Sequence, residues 1–153
     1  MTELYHKIDE ETQEKIEELK ENYQQAAIGT IGPDGFPVVT KVLPMKWLED
    51  YYFLWSDLSQ HTKNVEHNSN VCLYVCGDEE HKSRMNNPRL SVYGTIERVD
   101  IAKDSPQFIR LVEKHKKLDP ASKMYAYFGD FNFYKLTERD SVYVEGFGKA
   151  FKK

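Results

Sequence analysis

Cysteine is scarce in this 153-residue chain, with two in all, and the 21 basic residues are outnumbered by 25 acidic ones, for a net charge of −4. Cys72 and Cys76 lie four apart in the strand-like run Val71–Cys76, a spacing of ~13 Å along one strand face that rules out a mutual disulfide. It is not the CxxC of a zinc or redox site either, so both read as buried small hydrophobes. A basic excess is also missing, which leaves duplex nucleic acid and anionic lipid without an electrostatic footprint. No apolar run approaches the ~18 residues that span a bilayer, and the opening MTELYHKIDEE is not a signal peptide. A cytoplasmic protein with no membrane partner is the expectation. Internal repeats, low-complexity tracts and linkers are absent, so residues 1–153 read as one domain.

What is present is a mixture that folds: 40% apolar and 30% charged residues, too apolar for disorder and too evenly charged for a membrane. The charge is unevenly spread. Residues 1–24 carry eight acids against three lysines, net −5, while the remainder carries 18 basic and 17 acidic residues, net +1. That remainder can accept a small anion.

Residues 9–23 read as an amphipathic helix packing on the rest, with Asp9 as cap and Ile16, Leu19 and Tyr23 forming one apolar stripe. From Gln25 the period changes to that of strands. Ala26–Ile31 and Phe36–Leu43, joined by the Gly32-Pro-Asp-Gly35 turn, make a hairpin, and Tyr51–Trp55 makes a third strand. Residues 57–67 fit a short helix with Leu58, His61, Thr62 and Val65 on one side. Strands follow at Val71–Cys76 and Arg89–Val99, linked by the charged loop Gly77–Pro88. A helix over 104–117 has Phe108, Ile109, Leu111 and Val112 as its apolar set, and Asp130–Leu136 and Ser141–Val144 close the series as strands. Strands outnumber helices and follow one another at hairpin distance, which argues against a parallel sheet and for a closed or nearly closed antiparallel barrel with helices outside.

The phrase Trp55-Ser-Asp-Leu-Ser-Gln-His-Thr-Lys-Asn64 carries the most chemistry. It runs from a strand end into a helix start, where free N–H groups and the positive dipole end favour an anion. Ser56, Ser59, Thr62 and Asn64 are neutral donors, Lys63 is a cation, and Ser59, Thr62 and Lys63 are spaced to converge on one helix side. Lys41 on the hairpin could add a second cation. The same pattern also fits Ser56 or Asp57 as a plain helix cap with Lys63 in solvent, and Asp57 counts against a nearby anion. Spacing leaves both readings open. No Ser-His-Asp triad stands out, and the five histidines form no ligand pair for a metal.

Five phrases in order extend the pattern: LWSDLSQHTKNV from Leu54, NVCLYV from Asn70, NPRLSVYG from Asn87, FGDFNFYKL from Phe128 and EGFGKA from Glu145. Together, over residues 25–151, they resemble the FMN-binding split-barrel proteins related to pyridoxamine 5′-phosphate oxidase, most closely the HugZ-like haem-utilisation branch. The resemblance implies a mainly β, six-stranded antiparallel split barrel with flanking helices, forming a homodimer with FMN sites at the interface. It implies that Ser56, Ser59, His61, Thr62, Lys63 and Asn64 hold the phosphate and ribityl end, and that Thr40, Lys41 and Val42 lie along the flavin. Trp55 is a candidate wall of the pocket; Arg89 is a further site candidate whose alternative role is to pair with a carboxylate, and Lys149 is a candidate to reach across the dimer. The sequence ends just past GFGKA, without the C-terminal domain whose loop histidine serves some HugZ-like proteins as a haem ligand, so that route is not expected. The basic set of the true pyridoxamine phosphate oxidases is also missing. The expectation is therefore an FMN-dependent oxidoreductase with a small-molecule substrate or electron donor and no assigned catalytic residue; a haem-binding or haem-degrading protein and a non-catalytic flavin binder are the alternatives.

Overall fold

A computed structural model describes residues 4–153. It is mainly β, with helices flanking one antiparallel sheet. The acid-rich start forms α1 (Glu10–Glu21), where the Asp9 carboxylate accepts from Thr12 N at 2.8 Å and Ile16 and Leu19 point into the core. Acids in the first turn suit the positive end of the helix, and burying each of these two side chains contributes roughly 1.5–3 kcal/mol.

The sheet runs through β1 (Gln25–Ile31), β2 (Pro37–Lys41), β3 (Met45–Trp47), β4 (Asp50–Ser56), β5 (Asn70–Cys76), β6 (Arg89–Arg98), β7 (Phe131–Gly146) and β8 (Lys149–Lys152). Their order is β2-β1-β5-β6-β7-β4-β3, with β8 added to β7. Eight strands replace the expected six, and the barrel is not closed, because edge strands β2 and β3 do not pair with each other. The additions have a simple cause. β3 is three residues long and β8 four, too short for an alternating pattern to register. The two short strands expected near the C-terminus are one, β7, whose charged centre Thr137–Asp140 continues the ladder to β6. At Gly94 that ladder shifts register, and β7 comes so close that a Cβ would lie 2.1 Å from Thr137 O. Only glycine fits there.

Alternate residues of β4 divide the interior. Tyr51, Phe53 and Trp55 join Ile28, Leu73, Val75, Leu90, Val92 and Leu136 in the inner core, which also takes in Ile16 and Leu19 of α1. Leu54 faces the other way, into a second cluster with Met45, Phe108, Leu111, Val112 and Phe133. That outer cluster seats α3 (Pro106–His115) and α4 (Ser122–Tyr125). The helix expected over 104–117 is thus shorter; Ser105 caps it, accepting from Phe108 N, and Ile109 is 45% exposed rather than packed. The other short helix, α2 (Gln60–His67), sits on β1 and β6. It begins later than the expected residue 57, which leaves Leu58 outside the helix and exposed. Cys72 and Cys76 are free thiols as expected, yet half-buried, because both lie on the sheet's outer face where no helix covers them. Among the described residues no helix is long and apolar enough to cross a membrane.

Candidate functional site

Strand β2 has one partner, and β3 covers only Asp50–Tyr52 of β4, so Phe53–Ser56 and β2 each present an open edge. A cleft of about 420 Å³ lies where these edges face each other. One side is Lys41, Val42 and Leu43; the other is Leu54, Trp55 and Ser56; Ser59 and His61 close the α2 end. The opposite wall is made by the ends of α3 and α4 and the turn between them, through His115, Leu118, Asp119 and Tyr125, with Phe131 of β7.

Six residues of the candidate set therefore meet in one cavity: Lys41, Val42, Trp55, Ser56, Ser59 and His61. Thr40 adjoins them through a 2.9 Å hydrogen bond between its hydroxyl and His61 Nδ1. The imidazole of His61 stacks on Trp55 at 4.3 Å between centroids, and burial pulls its pKa below the ordinary 6.5, which keeps it neutral at pH 7. Trp55 is in turn wedged by Phe53 and Tyr134, at 4.8 and 5.4 Å.

The strand-to-helix turn is held from behind. Ser56 Oγ donates to Asp130 Oδ2 at 2.7 Å and accepts from Leu58 N at 3.1 Å. Asp57, the residue that argued against an anion, is tied back to β7: its carboxylate accepts from Asn132 Nδ2 at 3.1 Å and from the Tyr134 hydroxyl at 3.4 Å. Neither Ser56 nor Asp57 is the helix cap. Ser59 holds that position, and its hydroxyl makes no capping bond, so an Oγ sits at the α2 N-terminus facing the cleft.

Three candidates lie elsewhere. Thr62 is fully buried and donates to Ser56 O at 2.7 Å. Asn64 is buried too; its Nδ2 donates to Thr30 Oγ1 at 3.0 Å and its Oδ1 accepts from Gln60 at 2.7 Å. Lys63 is exposed and does not line the cleft. Ser59, Thr62 and Lys63 do not converge, because successive helical residues are turned about 100° apart and Thr62 takes the inward direction. Arg89 donates to the carbonyls of Met85 and Asn87 instead of a carboxylate, and Lys149 is exposed at the start of β8, away from the cleft.

The helical wall was not anticipated. His115 is 1% exposed, and burial pushes its pKa down to about 4, with Asp119 pulling weakly the other way. Among the described residues its Nδ1 has no hydrogen-bond partner. The signal existed in the sequence: His115 is four residues past Leu111 and three past Val112, on the same buried helix face. Among the described residues no cluster of His, Cys, Asp and Glu could hold a metal ion.

Known proteins are similar to this chain in sequence or in fold. The heme oxygenase HutZ of Vibrio cholerae is 24% identical over 144 residues, covering 90% of this chain and 78% of that protein. ChuZ of Campylobacter jejuni superposes with a TM-score of 0.84 at 19% identity, over 97% of this chain and 61% of its own. A heme binding protein from Mycobacterium smegmatis gives a TM-score of 0.76 at 17% identity, over 87% of this chain. The chain spans only 53% of that protein, and at these identities the two structural likenesses speak for the fold. The family model described as pyridoxamine 5′-phosphate oxidase matches residues 12–138, through most of α1, the cleft and the first half of β7. The chain belongs to the pyridoxamine 5′-phosphate oxidase family.

Proposed function

We propose that the chain binds FMN in this cleft, in a six-stranded split-barrel core, and works as a homodimeric oxidoreductase on a small molecule. One observation carries the reading: a single cavity joins an anion-accepting end, Ser59 at the α2 N-terminus with Lys41 at the rim, to an apolar wall of Val42, Leu54, Trp55 and Phe131. A phosphate-bearing planar ring has the same two halves. Bound FMN would supply the hydride or electron chemistry; the chain binds, orients and excludes water. In this reading Ser56, Thr62 and Asn64 act indirectly, by fixing the turn and helix whose N–H groups receive the phosphate. The homodimer is supported by the outer face of β2-β1-β5-β6, which among the described residues no helix covers and which exposes Val39 (71%) and Tyr74 and Tyr93 (41% each). The test is titration of purified protein with FMN, read by flavin fluorescence quenching and by size exclusion. Saturable quenching with a dimeric elution volume is expected; unquenched flavin at saturating protein would overturn the cofactor, and a monomer that binds FMN tightly would overturn the shared-site dimer. Bound FMN that no nicotinamide or thiol donor reduces would point to a non-catalytic flavin binder.

A second reading, haem binding, is favoured by the names of the relatives and by His61. Its Nδ1 is held by Thr40, which leaves Nε2 for an iron, the arrangement that orients ligating histidines generally. A Soret shift on adding hemin that disappears in His61→Ala supports this reading; an unshifted Soret band removes it.

A further inference from the structure

A second cavity, of about 270 Å³, adjoins the cleft, and the two share Leu118. Their other walls run on from one another along the chain: Leu43 and His115 line the cleft, while Pro44, Met45, Lys114 and Lys117 line the second cavity. Buried Pro44 and Met45 give it an apolar floor, and four lysines, Lys20, Lys46, Lys114 and Lys117, stand around it against one carboxylate, Glu21. Two of the four are neutralised, Lys20 by Glu138 and Glu17 and Lys46 by Glu17. Lys114 is the exception among half-buried cations. Every other lysine or arginine among the described residues that is not exposed has an acceptor: Lys20, Lys46, Lys116 and Lys135 face carboxylates, and Lys103 and Arg89 donate to backbone carbonyls. The Lys114 ammonium instead lies over the Trp47 ring, 5.3 Å from its centroid, a contact that attracts the charge without balancing it. The negative end of the α3 dipole favours a cation here, but with only a fraction of a charge, and the neighbouring acid on the helix, Glu113, is turned to Lys116. Lys117 forms no ion pair among the described residues either. A half-buried cation without a counter-ion is costly, and what this cavity lacks is an anion.

We propose that Lys114 and Lys117 form an anion subsite and that the small molecule acted on in the cleft is an organic acid, its carboxylate on the two ammonium groups and its apolar body along Pro44, Met45 and Leu118 toward the cleft. Two unpaired ammonium groups against the Glu21 carboxylate leave one net positive charge, which a monoanion balances. The inference rests on the flavin reading of the cleft and deepens it by naming the class of substrate.

The probes are 3-phenylpropionate and its amide, which share a shape and differ in charge. In the wild-type chain free of flavin, with lysines ¹³C-dimethylated so that they keep their charge, the methyl signals of Lys114 and Lys117 should shift on adding the acid and stay in place with the amide. Titration should show the acid bound about tenfold more tightly than the amide. Lys114→Met, which keeps a stem against Trp47, should remove most of that margin, Lys114→Arg should retain it, and Glu21→Gln should widen it. FMN should bind Lys114→Met as it binds the wild type. In the FMN-loaded chain the acid should also shift the visible absorption band of the flavin. An acid bound no more tightly than its amide, or as tightly by Lys114→Met as by the wild type, overturns the subsite; a bound acid that leaves the flavin band unmoved overturns its link to the cleft. If the acid behaves as stated while the chain takes up no FMN, the subsite stands and the flavin reading falls, and the substrate role with it.

Discussion

Two cavities of nearly equal size, about 430 and 420 Å³, differ in what their polar groups are doing. The first lies between α1 and the sheet and is crowded with charge, most of it mutually engaged. Lys20 pairs with Glu138 at 3.4 Å and Glu17 at 3.8 Å, Lys46 pairs with Glu17, and Lys153 pairs with Glu138 at 3.0 Å. The second, the cleft, has few charges, but Ser59 Oγ makes no cap and His115 Nδ1 has no partner. Paired charges hold α1 against the sheet; the cleft keeps neutral groups that the described protein residues do not pair. A size criterion would not separate the two, whereas a hydrogen-bond census does. Tyr51 Oη, the other orphan, lies in the inner core and lines neither cavity, so it does not blur the contrast.

The largest expected effect is on pH dependence and comes from the cleft. His115 has its pKa lowered from 6.5 to about 4 by burial. Between those values the unfolded chain takes up a proton that the folded chain refuses. Stability is therefore complete above about pH 6.5 and declines as pH falls toward 4, by about 3 kcal/mol in all for this residue. Urea unfolding at pH 7 and pH 4.5 should show that decline in the wild type, and His115→Phe should show a decline smaller by about this amount. An identical decline in both would mean that the buried imidazole is not the proton acceptor.

Next in size is the charged cavity. Lys20→Met leaves Glu138 with only Lys153, at a site where the Glu138 side chain is 15% exposed, and should lower unfolding free energy by about 2 kcal/mol. FMN affinity should be unchanged. A variant that loses flavin binding at unchanged stability would reverse the roles assigned to the two cavities.

How much of this contrast was legible in the sequence depends on whether a residue's role is local. The hairpin of β1 and β2, the helix after Trp55 and the strand-end position of Ser56 follow from period and turn chemistry within a few residues, and they came out in the right order. The two open edges that make the cleft are a property of the whole sheet, and β3 is too short to announce where it stops covering β4. Thr62 and Asn64 look like donors in the phrase HTKN, yet which way each points is decided by distant Thr30 and by the Ser56 carbonyl. Conversely, His115 was written into the stripe of α3 and passed over because its cavity neighbours come from β2, β4 and β7. Charge misled in the same way: Asp57 looked like an obstacle until β7 supplied Asn132 and Tyr134 to hold it.

A finer comparison sets two helix caps side by side. Asp9 accepts from Thr12 N and anchors α1, so Asp9→Ala should lower the unfolding free energy measured by urea denaturation. Ser59 occupies the same position on α2 without bonding it, so Ser59→Ala should change stability by less than about 0.5 kcal/mol. Its effect should appear in FMN affinity, about 1 kcal/mol from one lost hydrogen bond, read by fluorescence titration. If Ser59→Ala instead destabilises the fold as Asp9→Ala does, the hydroxyl is an ordinary cap.

The smallest effect expected belongs to Lys41, and its form matters more than its size. The side chain is exposed at the rim of the cleft, so water and salt screen its attraction for a phosphate. Lys41→Ala should weaken FMN by about 0.5–1 kcal/mol at low ionic strength and by less as salt approaches ~1 M, where the screening length shrinks to ~3 Å. Riboflavin, which has no phosphate, should bind the variant and the wild type alike at every salt concentration. If the Lys41 loss persists unchanged in riboflavin and in high salt, the lysine acts through its aliphatic stem on the ring instead of through its charge, and the anionic end of the cleft rests on Ser59 and the α2 amides alone.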